Sequence, residues 1–218
     1  MTATNGAASR RIAGLYAVTP DLADTALLVA LVRAAIEGGA AAVQYRNKAA
    51  APALALALEQ ASALVAACRA GGVPLIVNDD WRLAVRVGAD GVHVGGDDGN
   101  PREVRAAIGP AMLLGVSCYD RFELAEAVDG VADQVAFGSV FSSGTKPAAV
   151  RAPLELLGRA KARGWNVVAI GGIDVRNARQ AIEAGADAVA VIRALFATSD
   201  PRVVEADTRA VTAALSGR

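Results

Sequence analysis

The sequence predicts a single α/β domain closed as a (β/α)8 (TIM) barrel. Three observations predict it: a recurring glycine turn, an alternation of short apolar strands with Ala- and Leu-rich helices, and a scarcity of aromatic residues. Gly39-Ala40-Ala41-Ala42-Val43, Gly88-Ala89-Asp90-Gly91-Val92 and Gly185-Ala186-Asp187-Ala188-Val189 each follow a helical stretch and lead into a strand. Glycine closes the helix in the left-handed conformation, and valine enters a buried parallel strand. Successive starting glycines lie 49 and 97 positions apart. These intervals stand nearly as one to two, so a module of about 24 residues repeats and the chain has room for about eight.

The strands expected are Leu15 to Val18, Ala42 to Tyr45, Leu75 to Val77, Gly91 to Val94, Leu113 to Val116, Gln134 to Phe137, Val167 to Ile170 and Ala188 to Ile192. Helical segments between them include Leu54 to Ala70, Arg102 to Ile108, Phe122 to Val128 and Asn177 to Ala184. An open doubly wound sheet is the alternative, but Thr19-Pro20-Asp21 stands where its glycine-rich fingerprint would follow the first strand. Residues 1–11 read as an N-terminal extension and 12–218 as the barrel.

Hydrophobic residues make up 54% of the 218 residues and aromatics only 4%, so small aliphatic side chains fill the core. The 22 basic and 22 acidic residues cancel, and no stretch concentrates positive charge, which excludes nucleic acid as an expected partner. No membrane span or secretory leader is expected. Cys68 and Cys118 are far apart in sequence and suggest neither a disulfide framework nor a zinc ribbon, which fits a reducing cytoplasm, and Cys118 reads as a small buried residue. A monomer and a homo-oligomer both stay open.

Barrel enzymes build their sites at the C-terminal ends of the strands. After the second strand, Gln44, Arg46 and Lys48 alternate onto one side, either as a diphosphate clamp or as a solvated basic loop. After the third and fourth strands, Asn78-Asp79-Asp80 and Gly95-Gly96-Asp97-Asp98 bring carboxylates to the mouth, hard ligands suited to Mg2+. Asp80 is assigned to helix capping and Asp79 to the metal. Ser117 after the fifth strand reads as a substrate contact; no nucleophile elbow surrounds it, and His93, the only histidine, reads as a hydrogen-bonded interior residue. The loop from Gly138 to Pro147 carries hydroxyls and Lys146, suited to folding around a phosphate. Gly171-Gly172-Ile173 and Ile192-Arg193 occupy the usual barrel phosphate site, with a plain glycine turn as the alternative.

In this order the motifs resemble the thiamine-phosphate synthase family, from Gly14-Leu15-Tyr16-Ala17-Val18-Thr19-Pro20 to the last strand. The resemblance implies a Mg2+-dependent transferase joining a hydroxymethylpyrimidine diphosphate to a thiazole phosphate, with release of pyrophosphate. It places the pyrimidine diphosphate on Gln44, Arg46, Lys48, Asn78, Ser117 and Lys146, and the metal on Asp79 and Asp98. The thiazole phosphate falls on Ser143, Thr145 and Gly172 with Ile192 beside them, Arg193 next to it either reaches that phosphate or turns outward to a carboxylate at the barrel rim, and Lys146, Arg46 and Ser117 are the catalytic candidates. Gly96, Ser143 and Arg193 depart from the family's frequent Gln, Thr and Ser; only the last changes charge. A metal-independent thiazole tautomerase on the same barrel would dispense with the acidic pair and the clamp and place a histidine near the fifth strand, where the sequence shows none, and a phosphate-binding sensor would not need the pair or the clamp. A Schiff-base aldolase would need a lysine in an apolar pocket, whereas Lys48 and Lys146 sit among polar neighbours.

Overall fold

A computed structural model describes residues 11–48, 53–96, 98–142 and 151–216. Eight parallel strands pair in chain order, and the first closes on the last. They are β1 (Gly14–Val18), β2 (Ala42–Tyr45), β3 (Leu75–Asn78), β4 (Gly91–Val94), β5 (Leu113–Tyr119), β6 (Gln134–Phe137), β7 (Val167–Ile170) and β8 (Ala188–Val191). The helices α1 (Thr25–Glu37), α2 (Leu54–Gly71), α3 (Trp81–Val87), α4 (Pro101–Ile108), α5 (Phe122–Ala127), α6 (Glu155–Ala162), α7 (Ala178–Glu183), α8 (Arg193–Phe196) and α9 (Pro201–Leu215) follow in turn. A helix follows every strand, as the sequence predicts.

Strand alternation divides the core in two. Tyr16, Ala42, Ile76, Leu113, Ala136, Val168 and Ala188 point into the barrel, while Leu15, Val43, Val77, Val92 and Val189 pack under the helices. Tyr16 is the one aromatic residue of the inner cluster. Cys118 is buried, as expected, Cys68 is buried as well, and both thiols are free.

Gly39, Gly88 and Gly185 have φ of +101°, +67° and +117°, the left-handed conformation that the recurring phrase predicts. The structure adds what the phrase's aspartate does. Asp90 accepts the Leu75 N–H at 2.9 Å, and Asp187 accepts the Val167 N–H at 2.9 Å, each reaching the start of the preceding strand. Asp133, just before β6, does the same for Leu114 at 2.8 Å. Three carboxylates thus latch the N-terminal rim of the barrel, and Arg11 joins them through Asp187 at 3.8 Å.

Three features bear on expectation, two of them element boundaries. β5 runs on to Tyr119, with a register shift against β6 between Ser117 and Tyr119. Arg193 opens α8 instead of ending β8, because the backbone of Ile192 already turns toward the helical region at φ −115° and ψ −77°. Among the described residues α2 does have the length and composition to cross a bilayer, 18 residues at mean hydropathy 1.2. It serves instead as an outer-layer helix, with Gln60 buried and bonded to the Tyr45 hydroxyl at 2.9 Å.

Candidate active site

The loop after β2 is organised by the loop after β1. Thr19 Oγ1 donates to the Arg46 carbonyl at 2.8 Å and accepts the Arg46 N–H at 2.9 Å. Asp21 accepts the Lys48 N–H at 2.8 Å and pairs with the Arg46 guanidinium at 3.3 Å. Thr19 and Asp21 therefore hold both cations at the mouth, a role not read from the sequence. The signal was present, since polar residues directly after a barrel strand face the mouth.

Asp80 caps α3 by accepting the Leu83 N–H at 2.9 Å, as assigned. Asp79 adopts φ +65°, unfavourable for a residue with a Cβ. Its carboxylate accepts from the Lys48 ammonium. Asp98 accepts the Gly95 N–H at 3.0 Å. Burial raises the Asp98 carboxyl above its usual range, and the nearby Asp79 carboxylate adds to the rise against the opposing Lys48 charge. Two mutually repelling carboxylates gain from a shared cation. Among the described residues no cluster of three His, Cys, Asp or Glu is present. Two carboxylates side by side are a donor set that a hard cation such as Mg2+ could use.

Below this rim, Gln44, Arg46, Asn78, His93, Ser117 and Ile192 line a cavity of about 120 Å3 on the barrel axis. Ser117 Oγ lies 2.8 Å from His93 Nε2, so the structure pairs the serine with the only histidine. This pair is not a hydrolytic dyad. Burial pushes the His93 imidazole down to about 4 against the opposing Asp79 charge, which makes it a poor base.

At the far side Gly171, Gly172, Ile192 and Arg193 line a second cavity of about 130 Å3. Gly172 has φ +69°, and a Cβ there would stand 2.6 Å from the Ser142 carbonyl oxygen, so only glycine fits. Exposed Arg193 occupies the first turn of α8. Ser143, Thr145 and Lys146 lie outside the described residues.

The family model described as thiamine monophosphate synthase matches residues 15–195, most of the chain. The chain belongs to the thiamine monophosphate synthase family. Thiamine-phosphate synthase of Azoarcus sp. is 54% identical over 193 residues, covering 88% of this chain and 93% of that protein. The thiamine-phosphate synthase of Chromobacterium violaceum is 52% identical over 208 residues, covering 95% and 96% of the two chains. Thiamine phosphate pyrophosphorylase from Pyrococcus furiosus superposes with a TM-score of 0.81 at 32% identity, over 95% of this chain and 98% of that one. A more distant likeness, to orotidine 5'-phosphate decarboxylase from Pyrococcus horikoshii (TM-score 0.68, 16% identity, over 93% of this chain and 100% of that one), shows the barrel alone. Among the sequence-assigned residues of this family member, the structure gathers Gln44, Arg46, Asn78 and Ser117 around one cavity and ties Lys48 to Asp79 beside it. Gly172, Ile192 and Arg193 gather around the other.

Proposed function

We propose that the chain joins 4-amino-2-methyl-5-hydroxymethylpyrimidine diphosphate to a 4-methyl-5-hydroxyethylthiazole phosphate, or its carboxylated form, releasing pyrophosphate and giving thiamine phosphate. The observation that carries this reading is the meeting of Asp79 and Asp98 with Lys48 at the rim of a cavity lined by Gln44, Arg46, Asn78 and Ser117. Anionic and cationic groups side by side suit a metal-bridged diphosphate. Asp79 and Asp98 hold Mg2+, which when bound offsets charge on the departing pyrophosphate. Arg46 and Lys48, braced by Asp21, bind the diphosphate from the other side. Lys146 joins them by family resemblance.

Gln44 and Ser117 orient the aminopyrimidine over the barrel axis. Gly172 leaves room for the thiazole phosphate at the β7 and β8 ends, and so brings the thiazole nitrogen toward the pyrimidine's exocyclic carbon. Family membership alone would also admit a tautomerase paralogue. The acidic pair, the clamp and about half-identical synthase relatives favour synthesis. Cytoplasmic operation suits the buried thiols.

The test is incubation of both precursors with Mg2+ and detection of thiamine phosphate. Formation of product is expected. Absence of product under conditions where a control synthase works would overturn the reading.

A further inference from the structure

Among the described residues three buried polar side-chain atoms have no hydrogen-bond partner: His93 Nδ1, Gln134 Nε2 and Gln134 Oε1. All three lie inside the barrel around Gly115. A Cβ at Gly115 would stand 2.4 Å from His93 Nδ1 and 2.7 Å from Gln134 Nε2, so its absence lets imidazole and amide approach across β5. The Gln134 amide also neighbours the Tyr16 hydroxyl and opposes the rise that burial gives its pKa, although the amide makes no hydrogen bond as it stands.

The neighbouring bonds fix which atoms must donate. Tyr16 Oη accepts from Gln44 Nε2 at 3.1 Å, so its own proton seeks another acceptor. Gln134 offers one acceptor, Oε1, and through Nε2 a donor for an imidazole nitrogen. His93 Nε2 is already engaged with Ser117 Oγ at 2.8 Å. Rotation about the soft terminal torsion of Gln134 is the freedom that could offer Nε2 to His93 Nδ1 and Oε1 to the Tyr16 hydroxyl.

We propose that Gln134 closes these residues into one directed hydrogen-bond chain that makes Ser117 a proton donor toward the substrate. Gln44 Nε2 donates to Tyr16, Tyr16 to Gln134 Oε1, Gln134 Nε2 to His93 Nδ1, and His93 Nε2–H to Ser117 Oγ. The Ser117 proton is then left for the cavity. Tyr16, Gln134 and His93 are positioning residues.

The two ends of the chain, Gln44 and Ser117, line the same cavity, and with this orientation the Gln44 amide Oε1 is the acceptor and the Ser117 hydroxyl the donor. That pair complements an amino group beside a ring nitrogen, the edge of a 4-aminopyrimidine. With the opposite imidazole tautomer, Ser117 would donate to His93 and present lone pairs to that ring nitrogen. The specificity argument rests on the proposed function; the hydrogen-bond chain does not.

His93 is the only histidine, so 15N NMR of the tag-free, histidine-labelled chain reads its two nitrogens without overlap. The Nε2–H tautomer is expected in the wild type, and a loss of that preference in Gln134→Leu. Gln134→Leu is also expected to weaken binding of the pyrimidine diphosphate by about tenfold, the order of one lost oriented hydrogen bond, while binding of inorganic pyrophosphate with Mg2+ stays unchanged. The Nδ1–H tautomer in the wild type overturns the proposal even if the variant does not fold. An unchanged tautomer in a folded Gln134→Leu chain overturns it as well. Failure to make thiamine phosphate alongside an intact Nε2–H tautomer overturns the functional reading and leaves the hydrogen-bond chain supported.

Discussion

The Lys48 ammonium donates to the Asp79 carboxylate, tying the basic loop after β2 to the acidic residue after β3. Both side chains belong to the proposed diphosphate site, and they neutralise one another only in part, because Asp79 also faces Asp98. The arrangement stores an acidic pair with one cation beside it, ready to accept another.

That pair sets the first prediction. Asp98→Ala removes one of two carboxylates that suit Mg2+, and turnover is expected to fall by about a hundredfold, the order that loss of one preorganised charge-stabilising group costs. The fold should persist, since Asp98 anchors only its own loop through Gly95. Steady-state rates across a Mg2+ titration, with circular dichroism as control, check this. Near-normal activity at limiting Mg2+ would remove Asp98 from the metal site.

Lys146, assigned by resemblance in the loop after β6, should act mainly as charge gathers on the leaving pyrophosphate. Lys146→Ala is expected to lower kcat by more than it raises KM for the pyrimidine diphosphate. A change confined to KM would make it a ground-state binding residue.

Arg193 shares its cavity with Gly172, where the family's frequent serine is replaced by a guanidinium. Arg193→Ser is expected to weaken the thiazole phosphate by about tenfold or more, since hydrogen bonds to charged groups typically contribute about 1.5–3 kcal/mol. Affinity for the pyrimidine diphosphate should hold. Calorimetric titration of each ligand separates the two, and equal thiazole phosphate affinity in both proteins would leave that contact to Gly172 and its neighbours.

Asp187 supplies a prediction on stability. Burial alone would raise its carboxyl, but the Lys161 ammonium and the Val167 N–H outweigh this and hold it below the usual range. A depressed folded value means that its contribution is complete above the unfolded value, near 3.9, and is lost as pH falls through the lower folded one. Asp187→Asn should therefore lower Tm at neutral pH, by the equivalent of about 1 kcal/mol for a part-buried bond beside a solvent-exposed ammonium. The gap to wild type should narrow in strong acid. Thermal melts at neutral and low pH check it; a pH-independent gap would assign the loss to packing.

The sequence by itself determined the barrel, because its signals are local. Glycine at Gly39, Gly88 and Gly185 must take the left-handed turn, the strands are short apolar runs, and Asp80 sits where a helix needs its cap. It also brought Gln44, Asn78, Ser117 and Gly172 to the mouth, since position after a strand fixes the end of the barrel. Only the tertiary structure decided which side chains touch. Lys48 with Asp79, Asp21 with the clamp, and His93 with Ser117 join different strands, and their pairing depends on barrel register, which no local pattern encodes. Tyr16 and Gln134 went unassigned for the same reason. Each is a polar-tipped residue in an otherwise apolar strand, a sign that it faces inward, but closure of all eight strands is what sets Gln134 beside His93 across Gly115 and brings Tyr16 to Gln44 and Gln134.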